Sequence, residues 1–164
     1  MSNISNVTIR SAKVEDAEAM AEILREIGWS ERRNALALGE VSGPIAGLIE
    51  SCGDDPQHSF MVATDSGGSV IGFVTVHWVP FIMLGGLEGY VSDVFVSPSA
   101  GGKGAGSGLM TAVMEEGKKR GCMRLMVTNG KEKPSYKRGF YRSLGWTERP
   151  EVANFVYYYD EPWS

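Results

Sequence analysis

Cysteine is nearly absent from this 164-residue sequence: Cys52 and Cys122 stand far apart. That spacing suits neither a disulfide framework nor a thiolate metal site, so the reading is two reduced, buried thiols and no metal. Long apolar runs are missing too. The longest, Trp78 to Leu84, is interrupted by Pro80 and too short to cross a bilayer. The N-terminus lacks the basic-then-apolar pattern of an export signal, and the expectation is a soluble cytoplasmic protein with no membrane partner. A surplus of positive charge is also lacking; the net charge of -4 argues against nucleic acid as a partner and is compatible with a cationic substrate. No repeat, low-complexity tract or linker divides the chain. With 43% apolar and 22% charged residues it has the composition of a globular protein, expected to be one domain over 1–164.

Hydrophobic periodicity predicts strand 7–10, helix 15–27, helix 32–51, strand 59–64, strand 70–78, strand 87–97, helix 105–120, strand 123–128, helix 134–144 and strand 154–160. Strands flanked by helices, with hairpins between them, imply an α/β fold: a mixed β-sheet with helices on both faces. Strand alternation places Val74, Val76 and Trp78 on one face and Phe73, Thr75 and His77 on the other. By the same parity Glu88, Tyr90, Ser92, Val94 and Val96 share a face, with Asp93 opposite.

The most informative stretch runs from Val94 to Met110, where an apolar strand enters a turn with five glycines in the eight positions 101–108 and then an amphipathic helix. Leu109, Met110, Val113, Met114 and Gly117 fall on one helical face. Lys118, Lys119 and Arg120 suit the C-terminus, and Gly121 suits its C′ position. No acid precedes Glu115, so the helix N-terminus, with its unpartnered N–H groups and positive dipole end, is left for an external anion. Known phosphate loops fail on spacing. Lys103 is followed by Gly104 rather than Ser or Thr, and Gly-x-Gly-x-x-Gly begun at Gly102 or Gly104 ends on Ser107 or Leu109.

What fits is Gly-x-Gly preceded by Gly-Lys and followed by Ser. It resembles the acetyl-CoA pyrophosphate loop of the GNAT superfamily of N-acetyltransferases, Arg/Gln-x-x-Gly-x-Gly/Ala after a strand ending in Val. The resemblance extends to Val7-Thr8-Ile9-Arg10 with the Asp16-containing helix, the hairpin from Ser59 to Val74, and Tyr141-Arg142-Ser143-Leu144-Gly145-Trp146, which is similar to the family's Tyr-x-x-x-Gly-aromatic signature. It implies a GNAT-like domain with acetyl-CoA as co-substrate. Pantetheine would lie along the backbone of Val94 and Val96, and the pyrophosphate on the N–H groups of Gly102, Lys103, Gly104, Ala105, Gly106 and Ser107. Gly101 departs from the family's Arg or Gln, and losing one charge-assisted hydrogen bond costs about 1.5–3 kcal/mol, or about tenfold to a hundredfold in affinity.

The implied reaction is direct attack of a primary amine, on a small molecule or a peptide, without a covalent enzyme intermediate. The alternative is a non-catalytic acyl-CoA-binding or regulatory module with the same fold. Tyr141 is the expected proton donor to the leaving thiolate, with Tyr136 as its rival in a signature one residue short. The base is Glu88, Asp93 or His77, with Glu88 favoured by strand parity. The basic run Lys131, Lys133, Lys137 and Arg138 is either a solvated face or a contact for the CoA 3′-phosphate. Trp78, Phe81, Ile82, Met83 and Leu84 line an acceptor cleft, form a homodimer contact or pack in the core.

Overall fold

A computed structural model describes residues 6–159. The chain divides into two compact units, residues 1–127 and 128–164, each treated by itself. The first contains strands β1 (Thr8–Ser11), β2 (His58–Thr64), β3 (Val70–Phe81), β4 (Gly86–Val96) and β5 (Arg124–Val127). Its helices are α1 (Ala17–Ile27), α2 (Glu31–Asn34), α3 (Leu38–Cys52) and α4 (Ala105–Lys119). The strands lie in the order β1-β2-β3-β4-β5. Every neighbouring pair is antiparallel except β4 and β5, which are parallel and joined through α4.

The two sheet faces follow from the pleat. Val62 and Phe73 meet in register and pack with Met20, Ile23 and Leu24 of α1 and Ile49 of α3. The opposite face receives α4, whose Leu109, Met110 and Val113 are fully buried. A Cβ on Gly108 would touch Ile9, and one on Gly117 would approach Leu125 to 3.1 Å, so small residues let α4 lie close to the sheet. Helices therefore cover both faces of a mixed sheet, as the sequence pattern implied. Gly121, with φ of 69°, donates to the Lys118 carbonyl and ends α4 where expected. Cys52 and Cys122 are free thiols but partly exposed, a correction to the expected burial.

The expected helix 32–51 is two helices. Ser30 caps the first by accepting the Arg33 N–H at 3.3 Å, and Ala37 takes an extended conformation. Glu40 then accepts the Ala37 N–H at 2.8 Å and starts α3 afresh. An apolar period does not register such a restart, because it reports the buried face and not the cap.

β4 carries a bulge that single-strand alternation cannot show. Thr75 lies opposite Asp93, yet Val76 lies opposite Val91, so Ser92 is an extra residue. Val74 and Val76 share a face of β3; their partners Val94 and Val91 must share it too. Glu88 and Tyr90 consequently face opposite to Val94 and Val96, which corrects the parity placing Glu88 with them.

The second unit holds two single-turn helices, α5 (Pro134–Lys137) and α6 (Phe140–Ser143), where one helix 134–144 was expected. Gly139 between them has φ of 67°, a left-handed conformation that closes α5 and reorients the chain. Residues 154–159 of the expected last strand are exposed and have no ladder partner among the described residues, and residue 160 lies outside them. Strand propensity reports fitness for a pleated surface, not the presence of a neighbour. Among the described residues no helix is long and apolar enough to cross a membrane.

Asp16 ties β1 to the start of α1. Its carboxylate accepts from both Arg10 terminal nitrogens, at 2.7 and 2.8 Å, and from the Lys13 N–H at 2.8 Å. The Arg10 hydrogen bond leads in holding the carboxyl below its usual range, against the opposing effect of burial. A depressed carboxylate pKa stabilises the fold above the unfolded value of about 3.9 and loses that contribution as pH falls through the folded value. Asp16→Asn should cost about 1.5–3 kcal/mol at neutral pH. Urea denaturation at successive pH values should show the gap to wild type closing below about pH 4.

Candidate functional site

The edge of β4 is the first component. Pairing with β5 ends at Val91 opposite Val127, while β4 continues to Val96. The Ser97 N–H donates to the Ile71 carbonyl at 2.9 Å. Alternate residues of an antiparallel pair direct both backbone groups to the partner. Ser97 and Phe95 therefore face β3 with their backbone groups, and Val96 and Val94 turn theirs the other way. Among the described residues no strand pairs with these N–H and C=O groups, which can bind an extended ligand as a further strand.

The glycine turn is the second component. Gly102 and Gly104 have φ of 77° and 81°, conformations that side chains rarely adopt. The first bond into α4 runs from the Gly108 N–H to the Gly104 carbonyl at 2.8 Å. The N–H groups of Gly102, Lys103, Gly104, Ala105, Gly106 and Ser107 precede that bond. No side chain caps the helix, and no acid lies in its first turn. The sequence-predicted anion site is thus a row of backbone donors at the positive end of a 15-residue helix. Gly101 has φ of -55°, so it needs no glycine for its dihedral; an added Cβ would approach the Pro98 carbonyl to 3.2 Å.

Glu26, which sequence reasoning missed, holds the segment between these components. Its carboxylate accepts from the Ser97 hydroxyl at 2.5 Å and from the Ser99 N–H at 2.8 Å. The Ser97 bond, then the Ser99 bond, keep this carboxyl below its ordinary range. The partners are separated by α2, α3 and three strands in sequence, and no local pattern connects them.

The candidate bases have different surroundings. Glu88 is only 2% exposed and is ion-paired with Arg124 through Nε, whose guanidinium lies 5.1 Å from the Phe81 ring centre. His77 and Asp93, by contrast, belong to one network at the bulge. His77 Nε2 lies 2.9 Å from Ser92 Oγ, and His77 Nδ1 lies 2.9 Å from His58 Nδ1. Ser92 Oγ is 2.6 Å from Thr75 Oγ1 and 3.0 Å from Asp93 Oδ2, and the Thr75 hydroxyl also donates to Asp93. Burial, then the neighbouring His58, lower the His77 pKa, while Asp93 opposes the shift. His58 was not singled out by sequence, because only the register of β2 against β3 brings it to His77.

In the second unit the two tyrosines separate by their partners. The Tyr136 hydroxyl donates to Glu148, at 3.0 and 3.2 Å to its two oxygens, and Glu148 is also paired with Arg142 and with Lys131 at 3.5 Å. Tyr141 packs against Phe140 and Trp146, with ring centres 5.0 and 5.8 Å away. Burial raises its phenol pKa and keeps the proton on. In the basic run Lys131 faces Glu148, Lys137 pairs with Glu132 at 3.0 Å, and Arg138 lies over Phe140. Of the apolar run, Trp78 is core and donates from Nε1 to Ser59 at 2.9 Å, whereas Ile82 and Met83 are exposed.

The Glu88 environment generates a stability test. Glu88→Gln leaves Arg124 without its charged acceptor and should cost about 1.5–3 kcal/mol, read as a lower urea midpoint at unchanged slope. A midpoint equal to wild type would mean that the pair contributes no net stability.

The family model described as Acetyltransferase (GNAT) family matches residues 20–146. Among solved structures the chain is similar to a transcriptional regulator from Bacillus halodurans C-125, with 25% identity, a TM-score of 0.77, and coverage of 92% of this chain and 99% of that one. It is similar to a ribosomal-protein-alanine N-acetyltransferase from Brucella melitensis biovar Abortus 2308, with 19% identity, a TM-score of 0.71, and coverage of 93% and 99%. The glucosamine-6-phosphate N-acetyltransferase of Arabidopsis thaliana shows 21% identity, a TM-score of 0.71, and coverage of 94% and 99%. No curated protein matches the chain. A strand with a free edge, a glycine turn and an uncapped helix, within a family match spanning most of the sequence, lead to one conclusion: the chain belongs to the GNAT acetyltransferase family.

Proposed function

We propose that this protein transfers an acetyl group from acetyl-CoA to a primary amine on a small molecule or peptide. The observation that carries the reading is the succession of unpaired backbone at Val94 and Val96 and uncapped N–H groups from Gly102 to Ser107. Pantetheine amides need backbone partners along an extended path, and a pyrophosphate needs clustered donors. The amine nitrogen attacks the thioester carbonyl, the C–S bond breaks, and the thiolate takes a proton. Tyr141 is the proposed donor, since its raised pKa favours the phenol form; the Tyr136 proton is engaged by Glu148. The whole chain, 1–164, is taken as the working domain.

The decisive experiment is an amine-library assay with acetyl-CoA that follows free thiol release. Turnover with at least one primary amine is expected. Tight CoA binding without thiol release from any amine would instead indicate a binding module.

Cofactor placement is tested at Gly106. An acid in the first turn of α4 suits the helix dipole and should stabilise the helix by about 0.3–1 kcal/mol. It also sets a carboxylate where the pyrophosphate should lie, so Gly106→Asp should keep or raise thermal stability and abolish CoA binding by calorimetry. Unchanged affinity in the folded variant removes the pyrophosphate from residues 102–107.

General acid catalysis contributes about 10² to 10⁴ in rate. Tyr141→Phe should therefore lower turnover by a factor of that order with little change in acetyl-CoA affinity. Wild-type turnover in Tyr141→Phe, with loss in Tyr136→Phe, transfers the role to Tyr136.

A further inference from the structure

The bulge, the end of β5 pairing and the only two histidines of the chain coincide in space. Ser92 is the extra residue of the bulge, is exposed, and immediately follows Val91, the last β4 residue paired with β5. Behind it lie His77 of β3 and then His58 of β2, each step 2.9 Å. The two Nδ1 atoms face each other, so a hydrogen bond there requires one to carry a proton and the other a lone pair. One of the two tautomer arrangements permits outward transfer. With His77 Nδ1–H donating to His58, His77 Nε2 presents its lone pair to the Ser92 hydroxyl. Asp93, adjacent to Ser92 and receiving the Thr75 hydroxyl, supplies a negative charge beside the path. The charged and titratable groups facing His77 are His58 from β2, Tyr90 from β4 with ring centres 6.2 Å apart, and Asp93 from β4.

We propose that Ser92, His77 and His58 form a proton relay that removes the proton lost by the acceptor amine, with Asp93 as its counter-charge; this rests on the acetyl-transfer reading above. The amine proton passes to Ser92 Oγ as the Ser92 proton passes to His77 Nε2. The His77 Nδ1 proton passes to His58 Nδ1, and His58 releases its Nε2 proton to solvent. One proton enters and one leaves, and the hydroxyl and both imidazoles reset by rotation or tautomer exchange. No covalent bond forms at Ser92. His77 is suited to the middle position by its contacts to Ser92 and His58, and burial and His58 shift it toward the neutral form.

The test uses the full chain with two acceptors: an alkylamine protonated at the assay pH, and a weakly basic amine already neutral there. His77→Gln, Ser92→Ala and His58→Gln are compared with wild type by pH profiles of kcat/KM, with calorimetry on CoA as a control. Ser92 is exposed, so Ser92→Ala keeps the test usable should a histidine variant misfold. Each variant should slow the alkylamine by roughly 10² or more, shift the acidic limb of the profile, and leave the weakly basic amine within about tenfold of wild type. CoA affinity should not change. Equal losses on both amines with an unshifted limb would assign the network a structural role and overturn the relay. Wild-type rates on both amines would also overturn it while leaving acetyl transfer standing. A wild-type protein that releases no thiol with any amine would overturn acetyl transfer and the relay together.

Discussion

Among the described residues, the β4 backbone past Val91 has a sheet partner on one side only. Backbone N–H and C=O groups are obligatory hydrogen-bonding groups, and an unpaired set in the body of a sheet is costly unless water or a ligand serves it. β4 cannot escape the condition by turning over, because its other edge is held by β3 through to Val96. The parallel β4–β5 pair is short for a geometric reason: α4 joins the two strands, and β5 ends at Val127. A slot of unpaired backbone is thus created by topology and not by side-chain chemistry.

The turn after β4 extends the same constraint. Two positive-φ glycines bring the backbone round, and the helix that follows receives no cap from its own sequence. Side chains serve some helix starts in the first unit: Ser30 caps α2, Glu40 reaches back to Ala37, and Asp16 accepts the Lys13 N–H. The start of α4 receives no such cap, and neither do those of the single-turn α5 and α6. Ahead of α4, the two bonds of Glu26 hold Ser97 and Ser99 where the chain enters the turn.

The glycine turn and the uncapped start of α4 were legible in the sequence because their determinants are local: glycines, a strand ending in Val, an apolar helical face and no acid before Glu115. The sheet was legible for a similar reason, since β2, β3 and β4 alternate strongly. The bulge was not, because one extra residue in β4 is defined only against β3, and it inverted the face assigned to Glu88. The same applies to Glu26 and to the His58–His77–Ser92 chain, whose members come from different elements. The break at Gly139 had a signal, a glycine within the expected helix, but an isolated glycine is also tolerated in helices. The apolar run at 154–159 shows the converse: high strand propensity, yet no described partner strand.

Charge balance adds a further step. The protein has a net charge of -4, and Lys131 and Lys137 face acidic partners instead of forming an open cationic patch. In the proposed reaction, recognition of the CoA pyrophosphate must then come mainly from backbone dipoles at the α4 terminus. Such donors act at hydrogen-bond range and are fixed by the fold, whereas attraction to mobile surface lysines acts over a Debye length and is screened by salt. A site of this kind holds an anion by geometry without raising the potential around it. The net negative charge of the chain is compatible with a protonated amine as acceptor, whose proton must be removed before the nitrogen can attack. In the proposed relay, the half-buried His77 beside the exposed hydroxyl of Ser92 meets that need.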